Sequence, residues 1–250
     1  MDKLQVVVEK NKCIGCSLCV KTCPAHNLKI REGKAQVILE DCLFCGQCEA
    51  VCPRKAVTVS GYDHAPQEKN KEERLNPGQV LNTIRFRRTV RQFQNKPVPT
   101  EVVKQILEAG WMTHTAENKR DVSFIVLDQE KERIEKLAVN LFRKIKPLAR
   151  NNVIDDHFFF FKAPMVILVL AEDKTNGLLA VQNMEFVAEA NGLGVLFSGF
   201  FTMAANLSPK IKKALQIPKG KKVAMTLVMG YPGVRYLRSV PRKEMNVQWK

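Results

Sequence analysis

None of the 198 residues after Cys52 is a cysteine; all eight lie between Cys13 and Cys52. That crowding excludes a disulfide framework stapling the whole chain. With nothing to suggest an oxidising compartment, it reads as metal ligation. No run approaches the roughly 20 apolar residues that a bilayer requires. The most apolar stretch, Phe158 to Ala171, is interrupted by Lys162 and Pro164, and reads as a core strand with its approach. Met1 to Lys12 has three valines but neither an apolar h-region nor a small-residue cleavage site. The expectation is a soluble, cytoplasmic protein with no membrane contact. No G-x-G-x-x-G stretch occurs, which argues against a Rossmann nicotinamide domain. Acidic residues are few, 25 against 40 basic ones, for a formal charge of +15. No nucleic-acid motif accompanies this excess, so nucleic acid is not the expected partner. An acidic external electron-transfer protein fits the charge as well.

With 45% apolar residues the chain has enough hydrophobic material for a real core, and 250 residues suit one small and one medium domain. The first 60 residues repeat internally. Cys13-Ile-Gly-Cys16-Ser-Leu-Cys19-Val-Lys-Thr-Cys23-Pro24 returns 29 residues later as Cys42-Leu-Phe-Cys45-Gly-Gln-Cys48-Glu-Ala-Val-Cys52-Pro53. Flanking strands repeat too, Gln5–Val8 and Ala56–Val59, as in a small pseudo-symmetric module. Three cysteines at i, i+3 and i+6 converge on one cubane face, and in such runs the fourth ligates the other cluster. Cys13, Cys16, Cys19 and Cys52 then hold one [4Fe–4S] cluster, and Cys42, Cys45, Cys48 and Cys23 the second. Zinc, the alternative, leaves the three-cysteine rhythm unexplained. Gly15 and Gly46 suit either close approach to sulfide or a plain turn. The segment resembles the bacterial two-[4Fe–4S] ferredoxins over residues 1–60.

Residues 61–76 read as a linker, rich in Gly, Pro and charge. Asn76-Pro77 signals a helix start, with Val80, Leu81 and Ile84 at helical spacing. Thr100 can cap a helix with an apolar face of Val102, Val103, Ile106 and Leu107. Strands are expected at Val122–Leu127, Met165–Leu170 and Val223–Met229, and helices at Gln129–Ile145, Gly177–Asn191 and after Ser208-Pro209. Gly177–Asn191 is apolar around most of its circumference, as at a domain centre or a dimer interface. The fold class is α+β: a small two-cluster domain (1–60), then a layered domain (77–250) with a central sheet flanked by helices.

Arg85-Phe-Arg87-Arg88-Thr89-Val90-Arg91-Gln-Phe93 packs four arginines into seven residues, which is either a solvated face or an anion site. It resembles the R-R-S-x-R-x-F signature of the FMN-dependent nitroreductase superfamily. Gly192-Leu-Gly194-Val-Leu-Phe197-Ser198-Gly199 is similar to that family's G-L-G-x-x-W-I-G, Met229-Gly-Tyr231-Pro232 to its G-Y-P, and Pro241-Arg242-Lys243 to its late basic group. The resemblance implies FMN held by Arg87, Arg88, Thr89, Arg91, Arg242 and Lys243, with Phe197, Ser198 and Gly199 facing the ring. The family's P-S-x-x-N-x-Q-P-W stretch is matched here only by Thr115 and Asn118; the Q-P-W portion is absent. His114 and His157 are candidate proton donors.

The resemblance further implies a homodimer with flavin at the interface. Electrons would pass from two [4Fe–4S] clusters to FMN and on to a small-molecule acceptor such as a nitroaromatic or quinone. Two rivals remain open at this point: flow outward from NAD(P)H, and a non-catalytic electron carrier or redox-sensing module. Two clusters and a flavin phosphate would bring the net charge to roughly +9.

Overall fold

The computed structural model describes residues 4–39, 42–69, 74–144 and 154–250, in two compact units. Residues 1–74 with Ala116–Lys119 form the first; Leu75–Thr115 and Arg120–Lys250 form the second. Ile145, expected to end a helix, lies outside the described residues.

In the first unit β1 (Gln5–Val8) pairs antiparallel with β4 (Val57–Ser60), and β2 (Leu28–Arg31) with β3 (Lys34–Val37). Each cysteine run opens a short helix, α1 (Leu18–Thr22) and α2 (Gln47–Ala50). The core is small: Leu28, Ala35, Ala56, Val57 and Val59 with the thiols of Cys13, Cys19 and Cys48. Gly15 sits at φ +68°, and a Cβ there would stand 2.2 Å from the Gly33 carbonyl oxygen. A left-handed turn pressed against backbone requires glycine for both reasons.

The second unit is built on a four-stranded antiparallel sheet, ordered β5 (Ser123–Leu127), β6 (Met165–Ala171), β8 (Lys222–Gly230), β7 (Gly194–Phe197). β6 is buried on both faces, so its apolar run divides by the pleat. Val166, Leu168 and Leu170 join Ile134, Ala138, Phe159, Phe160 and Phe201, while Ile167 and Val169 join Val103, Ile106, Val181 and Met184. α5 (Lys131–Lys144), α7 (Gly199–Leu207) and α8 (Pro209–Ala214) thus cover one face. α4 (Thr100–Trp111) and α6 (Lys174–Ala190) cover the other, making three layers.

One expectation needs correcting. Thr100 does not cap α4; it is the first helical residue, and Pro99 occupies the cap without a side-chain bond. α3 (Pro77–Phe86) forms as expected, with Asn76 accepting from the Gly78 and Gln79 amides, but none of its residues is buried. Leu81 and Ile84 remain 58% and 47% exposed, because helical spacing identifies an apolar face without supplying a partner for it.

Asp121 joins the start of β5 to the start of α6. Its buried carboxylate accepts from the Glu172 and Asp173 amides at 3.0 and 2.9 Å and from Asn176 Nδ2 at 2.8 Å. Burial opposes ionisation there, but these donors outweigh it and hold the carboxyl below its ordinary range. Asp121→Ala is expected to cost roughly 2–3 kcal/mol at neutral pH, since it leaves buried donors unmatched. A carboxylate whose folded pKa is depressed stabilises above its unfolded pKa, and that contribution fades as pH falls through the folded value. The gap in melting temperature between variant and parent should therefore narrow in acid.

Candidate functional site

The eight cysteines sort into two cavities of the first unit. One is lined by Cys13, Cys16, Cys19 and Cys52, with Ile14, Ile30 and Val57. The other is lined by Cys23, Cys42, Cys45 and Cys48, with Leu28, Phe44 and Val59. Each therefore takes three thiols from one run and the fourth from the other. Backbone amides point at the sulfurs: Ala35 N at Cys13 (3.3 Å), Ala56 N at Cys52 (3.2 Å), Asn27 N at Cys23 (3.3 Å) and Phe44 N at Cys42 (3.3 Å). Burial pushes the Cys48 thiol up to about 11, and the charges of Cys23, Cys42 and Cys45 add to the rise. Cys19 is raised by burial, with Cys13 and Cys52 contributing. Four thiolates crowded into an apolar cavity need cationic compensation, and an iron–sulfur core supplies it. The donor set fits that group.

In the second unit, three stretches far apart in sequence meet at the β7 edge. Thr89 bridges Val195 in parallel, and the Val90 amide donates to the Val195 carbonyl at 3.1 Å. Phe93 bridges Pro232, and Gln94 N donates to the Tyr231 carbonyl. The closeness depends on glycine: a Cβ on Gly194 would stand 2.4 Å from Val90 Cγ2. β7 then delivers Phe197, Ser198 and Gly199 to the start of α7. Phe197 and Gly199 are exposed, and among the described residues no atom beyond Gly199's chain neighbours and its own helix backbone lies within 4 Å of where a Cβ there would stand. Ser198 is turned inward instead, its hydroxyl donating to the Phe159 carbonyl at 3.1 Å.

The arginines divide. Arg87 Nη1 lies 3.0 Å from Glu185 Oε2, with the guanidinium 5.1 Å from the Phe186 ring centroid. That ion pair lacks hydrogen-bond alignment, so the buried Nη1 keeps an unmatched N–H. Arg88 Nη1 donates to the Arg87 carbonyl, while its buried Nη2 has no hydrogen-bond partner among the described residues. Two buried guanidinium nitrogens on neighbouring residues thus lack hydrogen-bond partners among the described residues, one of them already ion-paired to Glu185. Thr89 and Arg91 are exposed beside them.

The remaining candidates are more scattered. Thr115 Oγ1 accepts from the Arg120 amide. Asn118 belongs to the first unit, where its amide donates to the Leu43 and Phe44 carbonyls. Arg242 and Lys243 are exposed in a segment without helix or strand, and His114 is exposed as well. His157 Nδ1 lies 3.7 Å from Glu135, whose buried carboxylate accepts from the Phe159 and Phe160 amides. Burial raises Glu135, and those amides and His157 pull against it.

Sequence reasoning missed Glu185 and Glu135. An acid interrupting the apolar run of α6, one of two with Glu189, was the available signal for Glu185, whose carboxyl burial raises and Arg87 lowers. Nothing in the sequence marked Glu135 within the charged helix α5.

Two four-thiol cavities in the first unit and an arginine corner on the sheet of the second are the candidate sites. The chain belongs to the nitroreductase family, which it matches over residues 84–231, and residues 12–56 match the 4Fe-4S dicluster domain. It is 38% identical over 69 residues to a ferredoxin of Pyrobaculum islandicum, covering 27% of this chain and 64% of that protein. It is 25% identical over 171 residues to an NADPH-dependent oxidoreductase of Staphylococcus aureus, covering 61% and 64%. The chain thus spans less than two thirds of each of these relatives. The crystal structure of a nitroreductase with bound FMN from Bacteroides fragilis shares the fold, with TM-score 0.60, 18% identity, and 69% and 99% coverage. Among the described residues, no helix is long and apolar enough to cross a membrane.

Proposed function

We propose that the chain is an iron–sulfur flavoprotein oxidoreductase that receives single electrons in its cysteine unit and passes them to FMN in its second unit. The acceptor is a small electron-poor molecule such as a nitroaromatic or quinone. The observation that carries this reading is the pair of unmatched, buried guanidinium donors of Arg87 and Arg88 at the corner where the three motif stretches meet. When bound, iron–sulfur clusters supply one-electron steps, and FMN supplies exchange between one- and two-electron chemistry.

Arg88 holds the flavin phosphate, with Thr89 and Arg91 at its rim and Arg242 or Lys243 closing over it. Arg87, tied to Glu185 and stacked on Phe186, anchors the arginine segment to α6 and offers its spare donor to the same anion. Phe197 and Gly199 leave an open face for ring and acceptor, and Ser198 fixes that turn through Phe159. Glu135 holds the Phe159 turn from behind, so His157 is the better placed of the two candidate proton donors. Two copies associate through uncovered apolar side chains of α3 and α6, Leu81, Ile84 and Leu179 among them.

The test is anaerobic. Purified protein should show flavin absorption beside the iron–sulfur band, sediment at twice its 28.3 kDa mass, and be bleached by reduced external ferredoxin. Addition of a nitroaromatic or quinone should restore the flavin colour. A preparation with the iron–sulfur band alone would make the chain an electron carrier and remove this reading.

A further inference from the structure

The 29-residue repeat makes each four-thiol cavity the control for the other. Pro53 and Pro24, Val57 and Leu28, Ile14 and Leu43, Ile30 and Val59 occupy repeat-related places in the two linings. Amides of repeat-related residues serve repeat-related thiols, Ala56 N on Cys52 and Asn27 N on Cys23. Each cavity has two such amide bonds. Against that matched background the charged groups at the two linings differ.

Arg54 lines the Cys13 cavity, where the repeat counterpart in the other lining is Ala25. Lys34 is half-buried, its ammonium donating at 2.6 Å to the Cys13 carbonyl, and its counterpart 29 residues on is Asp63. Beside the second cavity Glu49 follows the ligand Cys48, and its carboxylate accepts from the amide of the lining residue Val59. The counterpart of Glu49 is Val20. Exposure does not separate the sites: the first has Cys16 exposed but Cys13 and Cys19 buried, and the second has Cys48 buried with its other three thiols half-buried.

We infer that the two iron–sulfur sites are inequivalent, with the Cys13, Cys16, Cys19, Cys52 site at the higher reduction potential. Adding one electron makes a cluster with its four thiolates one unit more negative. Nearby cations and water stabilise that charge, and a nearby carboxylate opposes it. One group works the other way: Tyr62 Oη and Asn118 Nδ2 donate to the Phe44 carbonyl, sharpening the Phe44 N–H aimed at Cys42. That is a dipole acting through one peptide, against two whole cations and a carboxylate. Lys21 lies two residues from a ligand of each site and favours neither. A single electron entering the unit therefore settles at the Cys13 site, the transfer moving one electron with no bond made or broken.

This inference rests on the reading of both cavities as [4Fe–4S] sites. Iron content tests that reading, and potential order tests the inference. The experiment is a potentiometric titration of the full chain followed by electron paramagnetic resonance, with iron assayed on each sample. The parent protein should titrate in two separate one-electron steps. Lys34→Met with Arg54→Ala should lower the upper step by about tenfold in its equilibrium, about 59 mV, and leave the lower step in place. Lys34→Arg should restore most of the upper step, which a merely structural role for Lys34 would not predict. Ala25→Arg should raise the lower step. With about eight iron per chain, one unresolved step in the parent, or movement of the lower step by the Lys34 and Arg54 changes, overturns the proposed order. About four iron in the parent would instead sink the two-cluster reading beneath it.

Discussion

Cys23→Ala is expected to leave about four iron per chain, against about eight expected of the parent protein. The loss falls on the site of Cys42, Cys45 and Cys48, not on the run to which Cys23 belongs. The reason lies in the cavities. Cys23 lines the one formed by the second run, and the Asn27 amide orients its sulfur there. Cys52→Ala gives the mirror result, emptying the site of Cys13, Cys16 and Cys19. Iron and sulfide assays on anaerobically prepared protein, with resonance spectra to identify the surviving cluster, check both. Loss of the nearer cluster from either variant would break the crossed ligand scheme, and with it the assignment of potentials to particular cysteines.

Arg88→Ala is expected to weaken FMN binding about tenfold to a hundredfold, measured by fluorescence of released flavin. A charge-assisted bond to phosphate contributes roughly 1.5–3 kcal/mol, and tenfold in affinity is about 1.4 kcal/mol. Arg88 is the informative position because its buried Nη2 has no partner within the described protein, so an incoming phosphate displaces nothing. Arg87→Ala loses more than a phosphate contact. It strands the buried Glu185 carboxyl, which burial already raises, so stability falls together with affinity. The two variants thus separate ligand binding from anchoring. Riboflavin, which lacks the phosphate, should bind the parent weakly and be nearly indifferent to Arg88→Ala. Unchanged FMN affinity in that variant would move the phosphate elsewhere.

Much of the molecule was legible in its residues. The cysteine rhythm grouped three thiols to a run, because three-residue spacing is a property of a short chain segment, and each cavity is lined by such a trio with the fourth thiol of the other run. The unbroken apolar run of β6 and the Asn76-Pro77 and Ser208-Pro209 starts led to elements with the expected caps, Asn76 on Gly78 and Gln79, and Ser208 on Ile211. Local backbone chemistry is enough to set such features.

Other features were decided only in three dimensions. Arg85–Phe93 by itself fits a solvated face better than an anion site. Its meaning comes from lying along β7, where Val195 takes its backbone and burial strips water from Arg87 and Arg88. The division of labour between those two arginines depends on Glu185, almost 100 residues away, and the turn at Ser198 depends on Phe159 and Glu135. The same holds for Lys34, whose place beside Cys13 comes from a hairpin folding back across 21 residues. Spacing along the chain specifies which groups can share a helix, a strand or a loop. Which charges lose their water together, and which are left to seek a ligand, is set by contacts between distant segments, and only the folded chain makes those.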